Sequence, residues 1–223
     1  MKLAALWRYP VKSMLGEECS ALELDERGAI GDRAFAVRAE GGQVGSAKRI
    51  DELFAFHARH DGEWPEIALP DGRRMRGDDP GIHAALSTAL GMPVRLVRKD
   101  DAPYFDAAPI HLVSSAALDW LRARIPQSRI DARRFRPNLV ISCEARGQPE
   151  LSWIGRTLRV GGATLRISAS TERCRMTTLA QAGLPSDPAV LRAISQHADV
   201  QFGVYAQVVA PGRIALGDSV ILG

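Results

Sequence analysis

The chain has 223 residues, of which 46% are hydrophobic and 25% are charged, and this composition indicates an ordered globular protein. Its 29 Lys and Arg nearly balance its 26 Asp and Glu, so the net charge of +3 does not indicate a nucleic-acid partner. No apolar run reaches the roughly 18 residues of a membrane span, and MKLAALWRYPVKS lacks the apolar core of a signal peptide. We therefore expect a cytoplasmic protein without a membrane partner.

Short segments of alternating apolar and polar residues run along the whole chain and predict strands. The candidate strands, each bounded by Gly, Pro, Asp or Ser, are LAALWRYPV, SALELDER, AFAVRAE, PVRLVRK, HLVS, NLVIS, LRVGGATLRIS, FGVYAQVVA and IALGDSVILG. Many short strands with few helices differ from the regular alternation of a parallel α/β sheet. The pattern predicts a mostly β fold, closed or strongly curled.

Three segments have helical patterns. The first is PGIHAALSTALG, with Asp79 as its expected cap and Gly91 as its stop. The second is AALDWLRARI, capped by Ser114 or Ser115, and the third, AVLRAISQHA, begins after Pro188. We expect these helices to cover the strands without changing the fold class.

A polar segment from Arg98 to Pro109 separates two halves rich in predicted strands. Its composition is typical of a linker or an active-site loop. We therefore predict an N-terminal domain at residues 1–98 and a second domain at residues 99–223.

The three cysteines fit neither a disulfide framework nor a CxxC motif, so each is considered alone. Cys143 ends an apolar strand and is expected in the core, while Cys19 lies among acidic residues. Cys174 lies between Arg173 and Arg175, whose charges favour a thiolate. Cys174 is therefore the candidate reactive cysteine, and a small buried side chain is the alternative.

Eight short segments carry a family resemblance. They are Tyr9-Pro-Val-Lys-Ser13, Gly31-Asp-Arg33, Phe105-Asp106 with Pro109 to Ser115, Arg134-Phe-Arg-Pro-Asn138, Trp153-Ile-Gly155, Thr171-Glu-Arg-Cys174, Phe202-Gly-Val-Tyr205 and Gly212 to Val220. In this order the set resembles the MOSC family, named for the C-terminal domain of molybdenum cofactor sulfurases, and in particular its amidoxime-reducing members. The resemblance spans the whole chain.

The resemblance implies a MOSC β-barrel fold with a smaller N-terminal β-rich domain. It also implies the molybdenum cofactor, molybdopterin with its metal, and an oxidoreductase that reduces N-hydroxylated small molecules. The sequence ends at Gly223 without the iron-sulfur extension that some members carry, so an external electron-donor protein is expected.

By the same resemblance, Cys174 is the metal ligand and a catalytic residue. Molybdenum prefers soft sulfur donors, and because the pterin dithiolene supplies two of them, one protein thiolate can complete the site. Lys12, Ser13 and Arg33 are expected to bind the cofactor's phosphate or nearby pterin groups. Among the other motif residues, Arg136 and Asn138 can supply donors and acceptors to the pterin edge.

Four further positions have weaker support. Asp106, in a loop before a strand, is the acidic candidate for the catalytic site, although a turn-forming role is the alternative. Ser114, Ser115 and Thr171 are candidate hydroxyl donors to the cofactor, or else caps and strand-edge residues. The run ARRFR, which contains Arg134, otherwise indicates a solvated basic face.

The segment GSAKRIDELFAFHARH departs from the family pattern, because it lacks the Thr-Arg-x-x-Pro-x-Leu stretch often found after the first Gly-Asp-Arg. The resemblance therefore does not imply that the loop in this segment contacts the cofactor. His57 and His60 lie three residues apart on a short helical pattern. No third ligand accompanies them, so we expect surface residues rather than a metal site.

Two other functions use the same features. A cofactor carrier or sulfur-transfer protein would bear a persulfide on Cys174 instead of a permanent metal bond. A binding domain with a degenerate site would keep the fold without turnover. Both classes are compatible with one cysteine in a positive pocket, and metal content distinguishes them from a reductase.

Overall fold

The computed structural model describes residues 1–99, 103–181 and 183–223. The strands are β1 (Lys2–Arg8), β2 (Glu17–Cys19), β3 (Ala21–Asp25), β4 (Gly28–Ala29), β5 (Phe35–Ala39), β6 (His57–Asp61), β7 (Trp64–Ala68), β8 (Arg74–Arg76), β9 (Val94–Arg98), β10 (Ile110–Ser114), β11 (Leu139–Ser142), β12 (Thr157–Val160), β13 (Ala163–Glu172), β14 (Gln201–Ala210), β15 (Gly212–Ala215) and β16 (Val220–Leu222). The helices are α1 (Ile82–Leu90), α2 (Ser115–Arg124) and α3 (Pro188–Ala198), with 3-10 turns at Asp51–Ala55, Ala132–Phe135, Pro149–Trp153 and Arg175–Thr178. The prediction of a mostly β protein is confirmed.

An eight-stranded sheet in the order β16-β12-β13-β14-β10-β11-β1-β2 is the largest element. Its neighbours are antiparallel except β10 and β11, which pair in parallel. The start of β1 also forms hydrogen bonds with the segment before β16. Leu3 N–H donates to Asp218 O at 2.9 Å, and Lys2 forms an antiparallel β-bridge with Ser219. The sheet therefore curls until strands from its two sides meet.

Apolar residues on one face of this sheet form the first core. Leu6, Leu112 and Val204 from the sheet pack in one cluster with Leu22 of β3 and Ile214 of β15. β3 pairs with β15 on one side and β4 on the other, in a separate small sheet. The early strands and the last strands thus share a core.

A second core lies between the pair β5-β9, the sheet β6-β7-β8 and helix α1. Val37, Ile67, Leu86 and Leu96 are buried there. The segment after β1 enters this core at Val11 and forms the bridge to Phe35 of β5. This unit is the smaller β-rich region.

Strand pairs and core contacts cross the expected boundary between residues 1–98 and 99–223. Strands β1 to β4 pair and pack with strands from residues 99–223, whereas the second core extends from Val11 to Leu96. The division remains a prediction as a statement about domains. Part of the predicted linker Arg98 to Pro109, residues 100–102, lies outside the described residues.

The three predicted helices are present. Ser114 caps α2 by accepting a hydrogen bond from Ala117 N at 3.0 Å, and Gly91 ends α1 in the left-handed conformation, as expected. Asp79 is not the cap residue of α1, because Gly81 takes that position and Asp79 Oδ1 accepts from its N–H. The predicted boundary was therefore two residues early.

The helical pattern expected around His57 and His60 was wrong. The 3-10 turn ends at Ala55, and both histidines lie on β6, which pairs with β7. The hairpin partners β7 and β8 were not among the predicted strands. No helix in the described part of the chain is long and apolar enough to cross a membrane.

Candidate functional site

One cleft gathers side chains from both ends of the sequence, and we call it the arginine cleft. It is lined by Lys12, Ser13, Arg33, Ser46, Tyr104, Phe105, Asp106, Ala108, His111, Arg134, Phe135, Arg136, Asn138, Glu172, Arg173, Cys174, Met176 and Tyr205. Its enclosed part measures about 70 Å³, and its mouth is open to solvent. Seven of the ten predicted site residues line it, which are Lys12, Ser13, Arg33, Asp106, Arg136, Asn138 and Cys174.

The first wall is built around Tyr9, whose ring is stacked by two guanidinium groups. Arg33 lies 4.9 Å and Arg136 lies 4.2 Å from the ring centroid. Asp32 is buried behind them, accepts from Tyr9 N–H at 2.7 Å and pairs with Arg33. Because Asp32 is paired with Arg33, no carboxylate in residues 1–99, 103–181 and 183–223 is in direct contact with the charge of Arg136.

Arg136 is buried in an unusual state. Its Nη1 donates to Met14 O at 2.6 Å, while its Nη2 is buried without a partner. Burial and the neighbouring Arg33 charge lower the pKa of Arg136 to about 10. An anion bound beside this group would accept a hydrogen bond from Nη2 and would favour the charged form of the guanidinium.

Three residues of the cleft have strained backbones. Ser13, Arg33 and Arg136 have φ values of 66°, 50° and 53°, in the left-handed region that side chains other than glycine rarely adopt. Only two other non-glycine residues in the described ranges do so, Asp199 and Val200. Such strain concentrates at binding sites, where the surrounding structure compensates for it.

The floor of the cleft is set by the parallel pair β10-β11. Asn138, just before β11, accepts from His111 N–H through its Oδ1 at 3.1 Å and donates to Trp7 O at 3.3 Å. The side-chain oxygen also lies 3.4 Å from Arg33 Nη1. Asn138 therefore holds three neighbouring segments together at the cleft, and it is fully buried.

His111 and Arg173 form the second wall. Arg173 Nη1 lies 3.4 Å from His111 Nε2, and its Nη2 donates to Phe135 O at 2.9 Å. Burial and the Arg173 charge hold the pKa of His111 well below its usual value, so the imidazole is neutral. Gly203 makes room for this ring, since a Cβ there would lie 2.7 Å from His111 Nε2.

Cys174 follows β13 and begins the 3-10 turn Arg175–Thr178, with its carbonyl accepting from Thr177 N–H and Oγ1. The two flanking arginines point in different directions. Arg173 lines the cleft, whereas Arg175 donates to Lys48 O at 2.7 Å and pairs with Asp51 at 3.0 Å. Arg175 thus holds the cysteine turn against the smaller unit and leaves Arg173 as the charge beside Cys174.

Lys12 and Asp106 are in direct contact. Lys12 Nζ lies 2.7 Å from Asp106 Oδ1, and the Asp106 side chain is 68% exposed. The neighbouring Tyr104 N–H donates to Arg33 O at 2.7 Å. The loop carrying Asp106 is therefore attached to the first wall by one backbone bond and one ion pair.

Ser114 and Ser115 do not line the cleft, and their contact with a cofactor remains a prediction that the lining does not support. Ser114 is fully buried, donates to Glu150 Oε2 at 2.5 Å and caps α2. Ser115 Oγ accepts from Cys143 N–H at 3.0 Å. Both hydroxyls are occupied by partners that hold α2 in place.

Thr171 is also outside the lining of the arginine cleft. It is 2% exposed on β13, and its Oγ1 is buried without a partner. Thr171 lies on the same strand as Glu172, and Glu172 directly precedes Arg173. The predicted contact of Thr171 with a cofactor has no support from the lining of the cleft and remains a prediction.

Sequence reasoning missed several lining residues, including His111, Arg173, Tyr205 and Arg134. His111 and Tyr205 lie inside quoted motifs, and their rings are in tilted contact with centroids 5.6 Å apart. Arg134 is not on a solvated face, because it is 1% exposed and donates to Arg129 O and Pro185 O. Arg134 lies two residues before the predicted site residue Arg136, and this position could have identified it as a lining residue.

Comparison with known families covers the whole chain. Two family models match, the MOSC N-terminal beta barrel domain over residues 1–90 and the MOSC domain over residues 82–221. The motif residues that line the cleft, such as Lys12 and Cys174, fall within the two matched ranges. The matched ranges overlap at α1.

Several named proteins are similar in sequence. The human mitochondrial amidoxime-reducing component 1 is 27% identical over 99% of this chain and 82% of that protein. The rat mitochondrial amidoxime reducing component 2 is 32% identical over 98% of this chain and 82% of that protein. A molybdenum cofactor sulfurase from rice is 23% identical over 78% of this chain but only 28% of that protein.

Solved structures share the fold. The YUAD protein from Bacillus subtilis superposes with a TM-score of 0.55 at 18% identity, covering 99% of this chain and 94% of that one. At this identity the likeness concerns the fold alone.

Proposed function

Because the chain belongs to the MOSC domain family, we propose that it is a reductase that holds a molybdenum pterin cofactor in the arginine cleft and reduces N-hydroxylated small molecules. One observation carries the proposal. A cysteine thiol, Cys174, lines the same cleft as buried guanidinium groups with unpartnered nitrogens. This combination suits a ligand that offers both an anion and a metal.

The residues fit such a cofactor. Arg136 Nη2 and Arg173 Nε are buried without partners, and burial lowers the pKa of both guanidinium groups. Lys12 adds a positive charge at the exposed side, where its partner is Asp106. The cleft is open to solvent at its mouth, so a cofactor held there could be reached by a substrate.

When bound, the cofactor supplies two-electron redox chemistry at a metal that a Cys174 thiolate would ligate. The overall reaction converts R-NH-OH, two electrons and two protons into R-NH₂ and water. Within this chain, Arg33, Arg136 and Lys12 would bind the anionic and polar edges of the cofactor. Arg173, beside Cys174, complements the negative charge of the ligand set.

Asp106 would orient the substrate. Its exposed carboxylate can accept a hydrogen bond from the N–H or O–H of an N-hydroxylated group, and Lys12 Nζ holds the carboxylate in place. The neutral His111, 3.4 Å from Arg173 Nη1, adds no further positive charge to the cleft. Electrons would come from an external donor protein, and a cytoplasmic location belongs to the same proposal.

The decisive experiment measures metal, pterin and turnover on one set of variants. Protein produced with molybdate is assayed with an aromatic amidoxime and a reduced viologen dye as the electron source. Cys174→Ser should lose at least about 100-fold in turnover, because a serine oxygen is a harder donor than a thiolate. Cys143→Ser, which changes a cysteine packed against the first core, should retain activity.

The proposal fails if the wild-type protein holds neither molybdenum nor pterin, or if Cys174→Ser is fully active. It also fails if the Cys143 variant loses turnover with the metal still bound. A persulfide on Cys174 without turnover would instead favour the carrier or sulfur-transfer function.

A further inference from the structure

A second cavity, of about 290 Å³, shares Arg136 with the arginine cleft but is otherwise lined by different residues. We call it the back cavity, and its lining includes Trp7, Tyr9, Leu15, Glu18, Arg136 and Gln181. The proposed reductase chemistry makes no use of it.

Flat apolar groups form much of its wall. Trp7 on β1 is half-buried, and Tyr9 is 3% exposed. The chain passes closely over Tyr9 at Gly16, where a Cβ would lie 2.5 Å from the tyrosine ring. Leu15 adds a half-buried aliphatic surface. The cavity therefore suits a planar apolar body.

Two buried polar side chains of the lining have an atom without a partner. Gln181 is 4% exposed, its backbone is fixed by two hydrogen bonds with Leu184, and its Nε2 is unpartnered. Arg136 is 8% exposed, and its Nη2 is unpartnered. Buried donors left in this state cost free energy that a bound acceptor would recover.

Charge selects the acceptor. Arg136 carries a positive charge that no carboxylate of the described residues contacts directly, and the nearby Asp32 is paired with Arg33. A carboxylate offers two oxygens to such donors. Glu18, exposed at the same cavity, would repel a second negative charge on the ligand, and Arg133, which also lines the cavity, is already paired with Asp131 at 2.6 Å. A monoanion is therefore favoured over a dianion.

We propose that the back cavity binds a small aromatic monocarboxylate. The ring lies against Trp7 and Leu15, and the carboxylate accepts hydrogen bonds from the Gln181 amide and the Arg136 guanidinium. The back cavity shares Arg136 with the arginine cleft, so this guanidinium would face both ligands, whereas the Gln181 amide belongs to the back cavity alone.

Isothermal titration calorimetry of the full chain as purified, with or without bound cofactor, tests this with four probes. Benzoate and indole-3-carboxylate should bind at least tenfold more tightly than benzamide, which lacks the charge, and acetate, which lacks the ring. Gln181→Leu should weaken indole-3-carboxylate by roughly tenfold, because it removes one hydrogen bond to a charged group at similar volume.

Gln148→Leu is the matched control, since Gln148 also has an unpartnered buried amide oxygen but does not line the back cavity. The Gln148→Leu variant should bind indole-3-carboxylate with the affinity of the wild type. Gln181→Glu gives a second variant if the leucine variant does not fold, and it should abolish carboxylate binding by repulsion.

Equal binding of benzamide and benzoate, or no carboxylate binding at millimolar concentration, would overturn the proposal. Unchanged affinity in folded Gln181 variants would also overturn it, because the carboxylate would then be bound elsewhere, for example in the arginine cleft.

Discussion

The start of α2 and the arginine cleft are both buried and polar, but their hydrogen bonds differ. At α2, Glu150 is fully buried and accepts from Ser114 Oγ and Ser114 N–H, and no side-chain atom of either residue is unpartnered. In the cleft, Arg136 and Arg173 each bury a nitrogen without a partner. A completed polar network supports the fold, whereas an incomplete one indicates a ligand.

The difference also separates residues that looked equivalent in sequence. Ser114 and Arg136 both lie in family motifs and both were predicted to bind the cofactor. Only Arg136 lines the cleft, because the Ser114 hydroxyl is already occupied by Glu150 and by the N-terminus of α2. Motif membership therefore does not distinguish a binding residue from a residue that supports it.

Removing a cleft arginine gives the largest expected effect. Arg173→Met should lower cofactor retention at least tenfold, because it deletes a buried charge that faces the ligand. The free energy of unfolding of the cofactor-free protein should change by less than about 1 kcal/mol, since the lost hydrogen bond is offset by the removal of an unpartnered nitrogen. Pterin content after gel filtration and urea unfolding measure the two quantities.

Arg166→Met, an exposed arginine on the same strand β13, is the control and should change neither quantity. If Arg173→Met instead unfolds the protein as strongly as it releases cofactor, the guanidinium is structural and the comparison with α2 breaks down.

Ser114→Ala should have the opposite profile. It removes a donor to buried Glu150 and the cap of α2, which together cost about 1 to 3 kcal/mol of unfolding free energy. Cofactor content per folded molecule should stay at the wild-type level. Ser152→Ala, whose exposed hydroxyl bonds only to Pro149 O, should stay within about 0.5 kcal/mol. Loss of cofactor from folded Ser114→Ala would return this serine to the binding site.

The two regions should respond to acid with opposite signs. The folded-state pKa of His111 is lowered by burial and by Arg173, so below about pH 6.5 the unfolded chain takes up a proton that the folded protein excludes. Stability therefore falls as the pH falls through 6.5, by up to about 1.4 kcal/mol per pH unit. His111→Gln should flatten this part of the curve, measured by urea unfolding from pH 7 to 5.

Glu150 provides the contrast, because burial raises the pKa of its carboxyl above 4.5. The folded protein then binds a proton more readily than the unfolded chain, so this group adds stability as the pH falls through its folded pKa. Glu150→Gln should make the acid loss steeper. The comparison fails if both variants shift the curve in the same direction.

The smallest effect is expected at Arg175. Its ion pair with Asp51 is exposed, so Arg175→Gln should cost less than about 1 kcal/mol. Alkylation of Cys174 by iodoacetamide should stay within about twofold of the wild-type rate, whereas Arg173→Met should slow it severalfold. Equal slowing in both variants would mean that both flanking charges act on the cysteine.

The sequence predicted most strands, because alternation shows directly which face is buried. It missed β6, where only Ala58 of five residues is fully buried and two histidines and an arginine hide the pattern. It could not tell Arg173 from Arg175, since their directions depend on where β13 ends and the turn begins. Nor could it find the partner of Ser114, because Glu150 is 36 residues away.

The order of strands in the large sheet has a consequence for synthesis. β14, which ends at Ala210, lies between β13 and β10, and those two strands lead to Arg173 and carry His111. During translation the second wall of the cleft therefore cannot form until β14 has left the ribosome. Chains truncated before β14 should not retain the proposed pterin, so its insertion would follow the synthesis of β14.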